Sequence, residues 1–276
     1  MILNILLKDQ NFSFDTSNAK DISIPLRFNE EQPNMYGVKH AESKAYEGDG
    51  FIGDTRQGGS CNFEQVTLVP HCNGTHTECL GHITNKRFSI HQQLKDSLIP
   101  ATVLTVLPET AINSVDTYDP EKMDDDVFIS ERSLKNGLEK VSKEFLEALV
   151  IRTLPNDRSK TKRNYQENQP AFFSLEAMEY IVKAGVKHLL VDLPSIDRSN
   201  DDGKLNGHHL FWDVKSGQHQ EDHDSKVNKT ITEMIFVGEE IPDGPYLLNL
   251  QIAPFVSDAA PSRPLLYPLN KISEKD

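Results

Sequence analysis

The stretch QVTLVPHCNGTHTECLGH, residues 65–82, joins a strand-like segment to a run of side chains that bind metals or carry protons. Residues 65–69 alternate polar and apolar, as in a half-buried β-strand, and Pro70 ends that strand because proline cannot donate to the sheet. Between His71 and His82 there follow three histidines, two cysteines and a glutamate. Since the whole chain has only ten histidines and three cysteines, this density predicts a functional site at the end of a strand.

The spacing of these side chains allows them to converge on one point. Residues 76 and 78 point to the same side of an extended segment, and a glycine before them lets the backbone turn sharply. The turn would bring Cys72 or His71 back toward His76 and Glu78. Three protein ligands with an open position form a catalytic zinc site, at which His82 would move protons. A closed structural zinc site is the alternative interpretation.

Length and composition favour one globular domain, residues 1–276. The net charge of −13 argues against a nucleic-acid partner, which would require clustered lysine and arginine. No stretch approaches the roughly 20 apolar residues that span a bilayer, so no membrane partner is expected. The start of the chain lacks a basic leader, and three cysteines cannot all pair within one chain. We therefore expect a cytoplasmic protein with thiol or metal chemistry.

Strands and helices alternate in the middle third, which predicts an α/β domain with a mixed sheet. Residues 36–63 are expected to form a long loop. One helix is predicted after the N-cap Ser130, with apolar residues at helical spacing through 145, and another after Ser174, ending before Gly185 in a left-handed cap. The predicted strands are 21–26, 65–69, 101–107, 149–154, 188–192, 231–237 and 246–252.

The stretch also resembles a known signature. Gly74-Thr75-His76, the acid at 78 and His82 resemble the HxGTHxDxPxH motif of the cyclase family of metal-dependent hydrolases, which includes bacterial kynurenine formamidase and isatin hydrolase. Later segments are similar to family segments in the same order over roughly residues 20–270. These segments are VDLPSID (191–197), GHH (207–209), ITE (231–233) and residues 242–254. The resemblance implies a swivelling β/β/α fold and a homo-oligomer, a dimer or tetramer.

The resemblance also implies a set of site residues. Carried over by position, the metal ligands are Cys72, His76, Glu78, His208 and Glu233. His82 occupies the position of the proton shuttle, with Glu233 as its possible catalytic partner. His209 is the alternate to His208, because adjacent residues of a helix point about 100° apart and only one of them would face the metal.

This sequence departs from the family motif at three positions. Cys72 replaces the first histidine, Glu78 the aspartate and Leu80 the proline. A thiolate favours zinc over manganese or magnesium, so Zn²⁺ is the predicted metal, with Mn²⁺ as the other ion. Three alternatives stay open for the ligand at position 72. Cys72 is a ligand, or His71 takes its place, or the site has lost its metal.

The resemblance implies hydrolysis of a small-molecule substrate, namely a small amide, formamide or cyclic amide, by metal-activated water, as in an arylformamidase. A lactone or ester hydrolase with the same site is one alternative, because attack on an acyl carbon does not fix the leaving group. A non-catalytic metal- or ligand-binding protein is the other, suggested by the departures at Cys72, Glu78 and Leu80.

Overall fold

The computed structural model describes residues 1–167, 169–223 and 225–272. Its helices are α1 (Pro70–Asn73), α2 (Ile90–Gln93), α3 (Glu131–Leu138), α4 (Leu175–Lys183) and α5 (Asn206–Trp212), with 3₁₀ turns at Thr55–Gln57, Leu80–His82, Ala111–Asn113, Lys143–Phe145 and Arg158–Lys162. Its strands are β1 (Ile2–Leu7), β2 (Gln10–Asp15), β3 (Lys20–Asp21), β4 (Glu42–Ala45), β5 (Glu47–Gly48), β6 (Phe51–Ile52), β7 (Glu64–Thr67), β8 (His76–Cys79), β9 (Leu98–Val106), β10 (Glu109–Thr110), β11 (Val127–Ile129), β12 (Ala148–Thr153), β13 (Phe172–Phe173), β14 (His188–Val191), β15 (Thr230–Glu233), β16 (Gly244–Asn249), β17 (Ala259–Pro261), β18 (Leu265–Pro268) and β19 (Asn270–Lys271).

A nine-stranded mixed sheet organises the molecule, in the order β17-β8-β15-β14-β12-β9-β16-β18-β3. The four central strands β15, β14, β12 and β9 run parallel to one another. The flanking strands pair antiparallel, so β8 runs against β15, and β16 against β9. The mixed α/β sheet predicted from the sequence is confirmed.

The central strands are buried on both faces, which explains their nearly continuous apolar sequences. On β12, Leu149 and Ile151 pack into a core shared with α3, α4 and α5, whereas Ala148 and Val150 pack into a second core on the opposite face. Strand periodicity alone produces this division, since successive side chains point to opposite faces.

Both predicted helices form behind their predicted caps. The hydroxyl of Ser130 accepts a hydrogen bond from the Ser133 amide, and that of Ser174 accepts one from the Ala177 amide. Gly185 follows α4 with φ of 85°, the left-handed cap that the sequence predicts. The first helix ends at Leu138, earlier than its apolar spacing predicts, and a separate 3₁₀ turn covers Lys143–Phe145.

Other boundaries in the sequence prediction were wrong. The hairpin β1–β2, which lies outside the main sheet, was not predicted. Residues 36–63 contain three short strands rather than one loop. The predicted strand at 65–69 exists as β7, but it belongs to a separate pair with β4 and its residues are exposed, so alternation there does not indicate a buried face. Pro70 begins α1, which suits proline at a first helical position.

Candidate metal centre

The candidate metal centre, called the centre below, forms where β8 pairs antiparallel with β15, the outermost of the parallel strands. His76 and Glu78 lie two residues apart on β8 and so share a face. Register places Glu233, the last residue of β15, directly opposite His76. The intervening Thr77 points to the other face, where its hydroxyl hydrogen-bonds to the hydroxyl of Thr232 at 2.8 Å. The centre therefore lies where the carboxyl ends of parallel strands meet the start of β8.

Three ligand-type side chains converge here, and two of their ligand atoms lack hydrogen-bond partners. His76, Glu78 and Glu233 offer ligand atoms that all lie within 4.8 Å of one another. The Nε2 atom of His76 lies 3.4 Å from Oε2 of Glu233. Both this nitrogen and Oε2 of Glu78 are buried and lack a hydrogen-bond partner. Burying such groups unpaired is costly, so their convergence fits a bound cation.

Hydrogen bonds to the second ring nitrogen orient two of the histidines. Nδ1 of His76 donates to the carbonyl of Gly74 at 2.9 Å, and Nδ1 of His208 lies 2.6 Å from Oδ2 of Asp197. Both rings thus direct Nε2 inward, and that of His208 lies 3.0 Å from Oε1 of Glu78. Metal-binding histidines are commonly held in this way.

Helix α5 directs the side chains of the adjacent residues His208 and His209 to different sides. His208 points into the centre, whereas Nδ1 of His209 lies 3.2 Å from the carbonyl of Val214 on the other side of the helix. Asp197 fixes the start of the helix, because its two oxygens accept from the backbone amides of Gly207 and His208 at 2.7 and 3.1 Å.

A second group of ligand-type side chains borders the centre. His71, His82 and Asp258 offer ligand atoms within 4.8 Å of one another, and the rings of the two histidines stack at 4.4 Å. Nε2 of His71 lies 3.3 Å from Oε2 of Glu78 and 3.2 Å from Oδ2 of Asp258. Neither contact has the geometry of a hydrogen bond. The side chain of His82 is 27% exposed, so a substrate can reach it.

Cys72 does not join these groups among the residues that the structure describes. Its side chain packs with Ile24, Met35 and Met234 in a small apolar cluster. Burial, together with the nearby Glu233 carboxylate, raises the pKa of the thiol to about 11. The structure thus points an imidazole from position 71, rather than the thiol from position 72, toward the centre. Metal binding by Cys72 stays a prediction.

Neighbouring charges shift the pKa values of three side chains at the centre. Burial alone would raise the pKa of Glu78, but His82 and His208 hold it well below its usual range. Burial alone would lower the pKa of His208, yet Asp197 and Glu78 raise it well above 6.5. Burial also disfavours charge on His71, but Asp258 and Glu78 raise its pKa to about 10. The carboxylates of the centre therefore stabilise positive charge on His71 and His208.

Sequence reasoning did not find Asp258 and gave Asp197 no definite role. Asp258 precedes β17, and its carbonyl accepts from the amide of Cys79 on the neighbouring strand β8. No local pattern marks it, because it reaches the centre only through strand pairing. Asp192 has a different role, since its buried carboxylate lies 2.7 Å from Nζ of Lys160 and accepts from Thr153.

Comparisons with known proteins give a family match and several matches of fold. The family model Cyclase matches residues 20–198, more than half of the chain. No curated protein matches the chain in sequence.

Solved structures of similar fold cover nearly the whole chain. One is described as a potential metal-dependent hydrolase with cyclase activity (TM-score 0.57, 15% identity, 91% of this chain and 98% of that one). An isatin hydrolase bound to the product analogue thioisatinate has a TM-score of 0.58 and 14% identity, covering 92% and 93%. Isatin hydrolase A from Labrenzia aggregata has a TM-score of 0.59 and 10% identity, covering 91% and 93%. At these identities the likeness shows the fold alone.

Proposed function

Because the chain belongs to the Cyclase family, we propose that it is a metal-dependent hydrolase that cleaves a small amide, formamide or cyclic amide. The observation that carries the proposal is the convergence of His76, Glu78 and Glu233 with two buried ligand atoms that lack partners. His208 completes this set through its 3.0 Å approach to Glu78.

The donor set suits a divalent ion. His76, Glu78, His208 and Glu233 would hold it, with His71 as a further imidazole at the border. Imidazole and carboxylate ligands are compatible with zinc and with manganese, and we propose Zn²⁺, with Mn²⁺ as the other ion. When bound, the metal would activate a water and polarise the carbonyl of the substrate.

Residues beside the proposed metal ion would direct proton transfer. His82 is the proposed general acid and base, because its half-buried ring lies between the centre and the solvent. Its Nδ1 lies 3.6 Å from Oδ2 of Asp258, which would hold the ring in orientation. Nε2 then faces the centre, 3.8 Å from Glu78, and would deliver a proton to the leaving nitrogen. Glu233 is a ligand candidate and a possible partner in this transfer.

Elemental analysis combined with activity measurements tests the proposal. The purified protein should contain close to one or two equivalents of a divalent metal, and formanilides or cyclic amides should be hydrolysed until a chelator is added. His76→Ala and Glu78→Gln should lose both metal and activity, whereas the exposed His91→Ala and Glu239→Gln serve as matched controls. A metal-free protein under metal-replete conditions, or full activity in both site variants, contradicts the proposal.

A panel of acyl substrates separates the amide hydrolase from a lactone or ester hydrolase. Both activities would use the same groups, so the leaving group is the only variable. We expect kcat/KM for formanilides and cyclic amides to exceed that for lactones and simple esters of similar size. The reverse order would identify the alternative activity.

We further propose that the protein forms a homo-oligomer in the cytoplasm. Met1, Ile2 and Leu6 of the N-terminal hairpin are 74%, 71% and 65% exposed, and β1 is an edge strand. Exposed apolar edges favour association with another chain. Light scattering of the wild type should give the mass of a dimer or tetramer, and Leu6→Lys should reduce it. Among the described residues, the helices are all too short or too polar to cross a bilayer.

A further inference from the structure

The hydroxyl of Thr75 is buried beside the centre, and the proposed mechanism assigns it no part. Its Oγ1 donates to the carbonyl of Met234 at 2.5 Å and accepts from the amide of Ile24 at 2.8 Å. Thr75 immediately precedes His76, and Met234 immediately follows Glu233. The hydroxyl thus joins the two backbone positions that adjoin these candidate ligands.

This hydrogen bond lies where the ladder between β8 and β15 ends. His76 and Glu233 form the last pair of the ladder, and the next pair in the same register would be Thr75 and Met234. The amide of Met234 instead donates to the carbonyl of Leu193, beyond the end of β14, at 2.9 Å. The side chain of Thr75 therefore connects the two segments at the point where their backbone pairing stops.

Met234 adopts the left-handed backbone conformation, with φ of 54°. Residues other than glycine rarely adopt it, and the strain persists only where surrounding contacts enforce it. Met234 is 1% exposed, and hydrogen bonds with Leu193 and Thr75 hold its amide and its carbonyl. The chain turns here, directly after Glu233, so this conformation fixes the position from which the Glu233 side chain extends.

The segment before β8 also orients the ring of His76. Its Nδ1 bonds to the carbonyl of Gly74 at 2.9 Å, and its Nε2 lies 3.4 Å from Oε2 of Glu233. A change in the separation of Thr75 and Met234 would move the backbone beside both ligands. The distance between the two ligand atoms therefore depends on the Thr75 hydroxyl.

We propose that Thr75 is a positioning residue of the centre, and that its hydroxyl raises metal affinity by holding Glu233 against His76. The inference rests on the proposed metal-dependent hydrolase. Thr75 is not itself a ligand, since its hydroxyl acts through the backbone of Met234. Groups that orient metal ligands commonly contribute roughly 10- to 100-fold to metal affinity, and an effect of this size is expected here.

Titration of the apoprotein with Zn²⁺, against a competing chelator, tests the inference without any turnover. Thr75→Val keeps the shape of the side chain but removes the hydroxyl, so the Kd for Zn²⁺ should rise roughly 10- to 100-fold. Thr75→Ser and Thr75→Ala form a matched pair, because both lack the methyl group and they differ only in the hydroxyl. Thr75→Ser should bind nearly as tightly as the wild type, whereas Thr75→Ala should resemble Thr75→Val. This pair decides the question even where Thr75→Val does not fold.

Thr77→Val is the control for strand pairing. The hydroxyls of Thr77 and Thr232 bond at 2.8 Å between the same two strands, on the face opposite to His76 and Glu78. Loss of that bond should lower Tm but leave the Kd for Zn²⁺ close to that of the wild type. Thermal unfolding of each variant, measured beside the titration, separates a loss of stability from a loss of affinity.

The outcomes distinguish this inference from the hydrolase proposal. An unchanged Kd in Thr75→Val, an equal rise in Thr75→Val and Thr77→Val, or equally weak binding by Thr75→Ser and Thr75→Ala overturns the inference alone. A wild type that binds Zn²⁺ but hydrolyses no acyl substrate contradicts the hydrolase proposal, and the expected order of Kd values would still support the role of Thr75. A wild type that binds no Zn²⁺ contradicts both.

Discussion

Glu233 lies directly opposite His76 in the antiparallel pair of β15 and β8, with Oε2 3.4 Å from Nε2. The two residues are far apart in sequence, yet the register of a short strand pair brings them face to face. Glu78, two residues along β8, joins them on the same face. The arrangement of the candidate metal ligands therefore depends on the strand pairing as much as on the residue types.

Asp197 is expected to control metal affinity through His208. Asp197→Asn should weaken metal binding roughly 10- to 100-fold, since partners of ligating histidines have effects of this size. Metal titration of the apoprotein measures the change. Asp201→Asn is the control, because Asp201 bonds to backbone amides of the same loop and not to His208. Equal loss of affinity in both variants would assign the effect to loop structure instead.

His71 and Cys72 are expected to differ in their effects on metal content. His71→Ala should lower metal affinity or activity, because its Nε2 faces Glu78 and Asp258. Cys72→Ala should cost about 1 kcal/mol of stability, as removal of a small buried group does, and should retain the metal. Metal analysis and denaturant unfolding of the two variants check this. Metal loss in Cys72→Ala alone would establish the thiol as the ligand.

His188 should make stability depend on pH. Burial, followed by the charge of Lys187, lowers the pKa of His188 from 6.5 to about 4 despite the opposing carboxylate of Asp96. The unfolded chain therefore binds the proton first, and stability falls as the pH drops from 6.5 toward 4. Between pH 7 and pH 5 the contribution is about 2 kcal/mol.

Urea unfolding at the two pH values measures this contribution. His188→Gln should show a smaller loss of free energy than the wild type, by about that amount. His91→Gln, at an exposed position, should behave like the wild type. An identical loss in His188→Gln would show that other groups cause the acid sensitivity.

Lys160 and Asp192 form a buried ion pair, with side chains 4% and 0% exposed. Lys160→Met would leave the carboxylate without its cation and should cost about 3–5 kcal/mol. Thermal unfolding would show this as a large drop in Tm. Lys183→Met, which removes a cation from the exposed pair with Glu179, should leave Tm essentially unchanged. A small effect of Lys160→Met would mean that Asp192 becomes protonated at low cost.

Tyr36→Asn should leave stability nearly unchanged, because Tyr36 has a positive φ of 58° and is 56% exposed. Asparagine tolerates the left-handed conformation better than tyrosine, so relief of strain should offset the loss of aromatic packing within about 1 kcal/mol. Chemical unfolding of the variant and the wild type measures the difference. A strongly destabilised variant would indicate that Tyr36 serves the fold.

Much of the fold was accessible from local patterns. Ser130 and Ser174 cap their helices as predicted, and the apolar run at 149–154 forms the central strand β12. These features depend on contacts within a few residues, for which sequence periodicity is sufficient. Alternation failed at β7 because the pattern does not reveal whether a second layer covers the strand.

The sequence by itself determined which ligand-type residues are available to the centre, namely the three histidines and the single glutamate between residues 71 and 82, and the shared face of His76 and Glu78. Only the tertiary structure decided that His71 rather than Cys72 points inward, that His208 rather than His209 does so, and that Asp258 joins them. The reason is physical. Backbone geometry fixes the direction of neighbouring side chains relative to each other, whereas the meeting of distant segments depends on strand order and helix packing.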